Sequence, residues 1–222
     1  MVPALPAILT PETAGSRSAM PEPRTLLSLA GAPPVRARPA EAALVLVDLQ
    51  GEYRDGALKL PGIDAAAAEA AALLAAAREA GMPVIHIQHR GRAGGAFDPA
   101  GPHFALLPPV APLPGEAVEE KGLPNSFAGT GLAARLEALG RKEILLAGAM
   151  THMCISSTAR AALDLGLKVA IVASACATRD LPDPLGGPAL PAEALHRSSL
   201  AALADRFATI YPAAAAWRDG IG

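Results

Sequence analysis

Aromatic residues are scarce in this chain: one Trp, two Tyr and four Phe make up 3% of its 222 residues. A core must therefore be aliphatic, packed by Leu, Val, Ile and the abundant Ala. Cysteine is scarcer still. Cys154 and Cys176 cannot build a disulfide framework, and two isolated thiols suit a reducing cytosol. Neither sign of charge is in excess: the formal net charge is −2, which gives no electrostatic reason to expect a nucleic acid or an anionic membrane as partner. Long apolar runs are missing too. The alanine stretch from Ala65 to Ala77 is interrupted by Glu69 and followed by Arg78 and Glu79, too short and too charged to cross a bilayer. The opening Met1–Leu9 has no basic segment and carries prolines through its apolar stretch, so it reads as a poor signal peptide. No internal repeat is present, and no G-x-G-x-x-G follows the first apolar strand, which weighs against a nucleotide-binding protein. The expectation is a cytoplasmic protein with one ordinary domain and a small-molecule partner.

Proline is plentiful but unevenly placed, with eight of the 22 in the first 40 residues. Residues 1–40 read as an irregular N-terminal arm, whose apolar piece Leu26–Ala30 is available to pack on the body or on a partner subunit; residues 41–222 read as one domain. From residue 41 apolar runs alternate with helical segments. Ala43–Val47 is a strand ending at Asp48. Asp64 caps a helix that runs to Ala80 and stops at Gly81. Pro83–Gln88 is a second strand, followed by a Gly/Pro-rich loop over 91–115 whose length suggests a lid or wall. Ala117–Lys121 is a third strand, Gly131–Leu139 a helix and Glu143–Gly148 a fourth strand. A helix opens at Cys154 and ends at Leu165, Lys168–Ala173 is the fifth strand, Ala192–Asp205 a helix, and Phe207–Ile210 the sixth strand. Near-continuous apolar strands alternating with helices predict an α/β fold. It is three-layered α/β/α, doubly wound and Rossmann-like, with a mostly parallel six-stranded sheet.

In such sheets ligands gather at the carboxyl ends of the strands. That edge holds Asp48, Lys121 and the turn from Met150 to Cys154. At the start of a helix, Cys154 would meet unpaired N–H groups that favour a thiolate and can hold an oxyanion. It also reads as a small core residue. Asp48 follows apolar neighbours and needs a partner or a task. Taken singly, Asp48 as a loop cap and Lys121 as a solvated edge residue are the plainer readings. The functional case is their convergence: an acid, an amine and a thiol at the same edge, on three different strands.

Three motifs then carry a resemblance: Leu46-Val47-Asp48-Leu49-Gln50, the stretch from Glu120-Lys121-Gly122 to Thr130, and Gly148-Ala149-Met150-Thr151-His152-Met153-Cys154 continuing to Arg160. In this order they resemble the isochorismatase-like cysteine hydrolases, over about residues 41–211. The resemblance implies a catalytic triad at Asp48, Lys121 and Cys154, a non-proline cis peptide between Ala149 and Met150, and a homo-oligomer. Such a peptide would turn the Met150 N–H toward the Cys154 N–H, making an oxyanion hole of the two. The implied reaction is hydrolysis of a C–N bond through a Cys154 thioester, with Asp48 as acid and base and Lys121 in support.

Departures from the pattern narrow the reading. Metal-binding nicotinamidase relatives carry Asp-x-His after the second strand, where this chain has His86-Ile87-Gln88-His89. No metal and no cofactor are therefore expected, and His86 reads as a core or edge histidine. Relatives that cleave the vinyl ether of isochorismate often lack the thiol, so Cys154 favours amide-type chemistry, with vinyl-ether hydrolysis as the alternative. Tyr53, His103, Phe127 and His152 lie near the motifs and are candidate pocket residues. Arg160 reads as a helix or interface ion-pair residue, Cys176 as structural, and Arg179-Asp180 as organising its loop. Two further classes stay open: a thiol sensor, disfavoured by the lack of a Cys-x-x-Cys partner, and a catalytically silent binding protein on the same fold.

Overall fold

Each of the first strands alternates its side chains between two faces that are both apolar, and the chain builds a layer on each. The computed structural model describes residues 22–220; the Met1–Leu9 opening and most of the stretch before Pro23 lie outside the described residues. Six strands form one all-parallel sheet: β1 (Ala42–Val47), β2 (Val84–His89), β3 (Ala117–Lys121), β4 (Glu143–Ala149), β5 (Lys168–Ala177) and β6 (Thr209–Tyr211), in the order β3-β2-β1-β4-β5-β6. On one face Leu44, Leu46, Leu145, Ala147, Ala170 and Val172 pack under α2 (Ile63–Glu79) and α6 (Ala214–Gly220). On the other face Ala43, Val45, Val47, Ile144, Leu146 and Ile171 pack under α3 (Leu132–Ala138), α4 (Ser156–Asp164) and α5 (Ala192–Arg206). This is the three-layer, doubly wound fold that the strand runs predict.

Strand order reverses direction between β1 and β4, so their carboxyl ends border the crevice where such sheets bind ligands. Asp48 leaves β1 into that crevice, and β4 delivers the Met150–Cys154 turn into it.

Several elements differ in detail from the sequence reading. The N-cap of α2 is Gly62 in a left-handed conformation, with Asp64 in the first turn, where its carboxylate suits the positive end of the helix dipole. Strand β5 continues past Ala173 through an irregular register to Ala177, so Cys176 lies within it opposite Gly148 rather than after it. Helix α6 has no counterpart in the sequence reading. Arg160 forms no ion pair among the described residues; its guanidinium stacks 4.3 Å over the Phe207 ring. The described part of the arm packs on the body. A one-turn helix, α1 (Leu26–Leu29), starts against Asp205, the Val35 N–H donates to Thr209, and the Ala37 carbonyl accepts from the Trp217 indole at 3.2 Å.

Candidate active site

β1, β3 and β4 end at the same edge, where Lys121, the last residue of β3, meets Asp48 just after β1 and Cys154 in the turn after β4 in one buried knot. Lys121 Nζ lies 2.6 Å from Asp48 Oδ2, with both side chains fully buried. The same nitrogen lies 3.3 Å from Cys154 Sγ. Asp48 reaches this point through a left-handed turn, φ 51°, which Asp tolerates better than most residues. The Ala149–Met150 peptide is cis. Just before it, β4 presses against β1 at Gly148, where φ is 130° and a Cβ would lie 2.0 Å from the Val47 carbonyl oxygen.

Cys154 does not open the α-helix. It is the fourth residue of a five-residue π turn, Thr151–Ile155, in which the Ile155 N–H donates to the Met150 carbonyl at 3.2 Å; regular helix begins at Ser156. Nor is its thiol acidified. Burial, reinforced by the Asp48 carboxylate and only partly offset by the Lys121 ammonium, pushes it up to about 12. The thiol does not sit at the start of the regular helix, and its burial disfavours the thiolate. Burial likewise raises Asp48 to about 6, against the opposing pull of Lys121. Burial thus acts against the charged form of both the thiol and the carboxyl, and Lys121 Nζ lies between the two. A carboxyl and a thiol held this close can exchange a proton.

Around this knot stand residues that the sequence reading did not single out. His89, the last residue of β2, is the register partner of Lys121, and its Nδ1 lies 3.1 Å from Lys121 Nζ. Burial, with the neighbouring ammonium, lowers His89 to about 4. Fully buried Gln50 accepts from the His89 N–H at 2.8 Å and donates to the His89 and Phe104 carbonyls at 3.0 and 2.8 Å. It thereby ties the end of β2 to the 103–107 segment of the long loop. That segment is held as a wall by the Gly51 and Glu52 N–H groups, which donate to the Ala105 and His103 carbonyls. Phe97, from the same loop, packs edge-on against Tyr53 with ring centroids 5.1 Å apart and lies 5.0 Å from the His89 ring.

The four candidate pocket residues fare differently. Tyr53 is buried close enough to the Asp48 and Cys154 charges that both act to raise its pKa, though burial is the larger cause. Phe127 packs on the apolar cluster that includes Cys154. His152 holds Thr178 Oγ1 at 2.5 Å through Nδ1, while its Nε2 is buried with no hydrogen-bond partner among the described residues. His103 frames the site through its backbone carbonyl, which accepts from the Glu52 N–H; its ring is a minor contributor, after Arg54, to the lowered pKa of the Asp55 carboxyl. Elsewhere, Asp180 accepts from the Ala192 N–H at 2.7 Å and so anchors the start of α5. Arg179 Nε is buried without a partner among the described residues. His86 is fully buried and joined to Glu116 at 3.0 Å.

One set of side chains has the composition of a metal site: single atoms of Asp48, His89 and Cys154 lie within 4.8 Å of one another. Lys121 Nζ lies 2.6, 3.1 and 3.3 Å from the same Asp48, His89 and Cys154 side chains.

The isochorismatase domain model matches residues 42–215 of this chain. A secreted isochorismatase effector of Verticillium dahliae is 37% identical over 82% of this chain and 94% of its own length. A maleamate amidohydrolase of Pseudomonas putida is 35% identical over 59% of this chain and 69% of its own. The crystal structure of an isochorismatase from Pseudomonas putida superposes with a TM-score of 0.82 at 42% identity, covering 87% of this chain and 99% of that one.

Proposed function

The chain belongs to the isochorismatase family of hydrolases, and from that premise we propose that it is a metal-independent amidohydrolase that cleaves the C–N bond of a small molecule through a thioester on Cys154. One observation carries the reading: a single ammonium, Lys121 Nζ, sits 2.6 Å from a buried carboxylate and 3.3 Å from a buried thiol. In the proposed cycle Asp48 takes the Cys154 proton as the sulfur attacks the amide carbon, and Lys121 keeps the charge of that carboxylate and the nascent thiolate balanced. The C=O pair moves onto oxygen, which the Met150 and Cys154 N–H groups receive. Asp48 then gives its proton to the nitrogen as the C–N bond breaks, releasing the amine. Water, deprotonated by Asp48, opens the thioester and frees the acid.

The substrate we propose is a short amide carrying an anionic group. Arg179 supports this, because its charge acts on both Tyr53 and His152 at the site while its buried Nε has no partner among the described residues. The relative named for maleamate, an amide with a free carboxylate, supports it too. Tyr53, Phe127 and His152 are the proposed lining. A homo-oligomer also belongs to this proposal; exposed Leu123 near Lys121 and Met153 beside the nucleophile are apolar surface that a second copy would cover.

A second reading, hydrolysis of a vinyl ether, is favoured by the likeness to the isochorismatase effector. One experiment separates the two. Wild type and Cys154→Ala are assayed against short acid amides, with ammonia release as readout, and against isochorismate, with pyruvate release as readout. The proposal expects ammonia release that falls by about a thousandfold or more in the variant. Pyruvate release that survives Cys154→Ala would establish the second reading instead.

A further inference from the structure

A buried ammonium has three N–H donors and no acceptor; Lys121 Nζ lies 2.6 Å from Asp48 Oδ2 as an ion pair, and 3.3 Å from Cys154 Sγ and 3.1 Å from His89 Nδ1 as hydrogen bonds. The first two partners belong to the proposed chemistry, on which this inference rests; the third does not. We infer that His89 is a positioning residue, a neutral imidazole whose Nδ1 lone pair anchors the Lys121 ammonium so that one of its N–H bonds stays on the Cys154 sulfur.

The geometry defines the protonation state. Lysine can only donate at 3.1 Å, so Nδ1 must accept and the ring proton resides on Nε2. The ring is held for this task from two sides. Gln50 grips the His89 backbone at both its N–H and its carbonyl, and the Phe97 ring packs against the imidazole at a tilt, with centroids 5.0 Å apart. Register does the rest, because His89 and Lys121 are paired across adjacent parallel strands at the carboxyl edge of the sheet. Lys121 is the charged group that acts on the ring, and it too favours the neutral form. With only two acceptors, the ammonium would settle on the stronger one, the Asp48 carboxylate, and leave the sulfur. The third acceptor opposes that drift.

The test reads carbamidomethylation of Cys154 by iodoacetamide, peptide by peptide, from pH 5 to 9 in wild type, His89→Leu and His89→Asn. The Asn side chain places an oxygen acceptor near the position of Nδ1. His89→Leu is expected to lower the rate at pH 8 about tenfold, whereas His89→Asn stays within about threefold of wild type. An unchanged or faster rate in His89→Leu, or equal losses in both variants, overturns the inference. Lys121→Met and Asp48→Asn are measured alongside. If neither slows the reaction, the proposed function itself fails; if both do and His89→Leu does not, only the role of His89 fails. Should the Leu variant not fold, nitrogen NMR of His89 in the wild-type protein decides independently. An unprotonated Nδ1 with a proton on Nε2 supports the assignment, and the opposite tautomer overturns it.

Discussion

Asp48 shows what a residue gives up to sit in the buried knot beside Lys121 and Cys154. Its carboxyl is fully buried, its backbone is left-handed, and burial lifts its pKa from 3.8 to about 6. A base must be ionised to work, so hydrolysis is expected to fall on the acid side with a limb near pH 6, and Asp48→Asn to be inactive at every pH; a pH–rate profile checks both. The same shift has a stability sign. The folded protein protonates this group more readily than the unfolded chain, so between about pH 4 and pH 6 Asp48 makes the fold more stable as pH falls. Urea midpoints at pH 4.5 and 6.5 should therefore change differently in wild type and in Asp48→Asn, with the wild type favoured more by the acid. Arg179→Met is expected to raise KM for an anionic amide about tenfold or more while leaving kcat nearly intact, because it removes a contact to a part of the substrate that does not react. Steady-state kinetics with anionic and neutral amides of equal size test that, since only the anionic one should lose.

Among the elements, β4 and the turn after it are the most constrained. Gly148 lets β4 approach β1 so closely that a methyl group would overlap the Val47 carbonyl oxygen. Gly148→Ala is expected to cost about 3 kcal/mol or more, or to prevent folding, as read by chemical denaturation. Much of this scale was legible beforehand. Ala43–Val47 and Glu143–Gly148 are apolar on both faces, as strands covered on both sides must be. The motifs around Asp48, Lys121 and Cys154 place an acid, an amine and a thiol at strand ends. Less legible was whatever depends on packing between distant segments. His89 looks like one more polar residue at the end of a strand until the β2–β3 register sets it beside Lys121. Phe97 lies in a Gly/Pro-rich loop without periodicity, and only the fold brings it against Tyr53 and His89. For Cys154 the sequence shows a place near a helix start but not the burial that disfavours its thiolate.

Across the whole molecule, the described part of the arm and the carboxyl-terminal helix lock together. Trp217, the one tryptophan of the chain, is fully buried and donates to Ala37, while Glu143 at the start of β4 accepts from the Ala37 N–H at 3.0 Å. Trp217→Ala is expected to cost about 3–5 kcal/mol in urea unfolding. In the wild type the emission of that single indole should report the docking of the arm. No helix among the described residues is long and apolar enough to cross a membrane. One relative is a secreted effector, so family membership does not by itself assign a compartment.

The strand order has a further consequence, for how the protein comes into being. Lys121 belongs to one outer strand of the sheet and Cys154 follows a strand on the far side of β1, with Asp48 between them. No local stretch of chain can assemble this trio; each member waits on a distant crossover, and such long-range closures are the slow steps of folding. During refolding from denaturant, ellipticity should recover first and turnover last. A nascent chain emerging from the ribosome would stay chemically inert until β4 has been inserted beside β1.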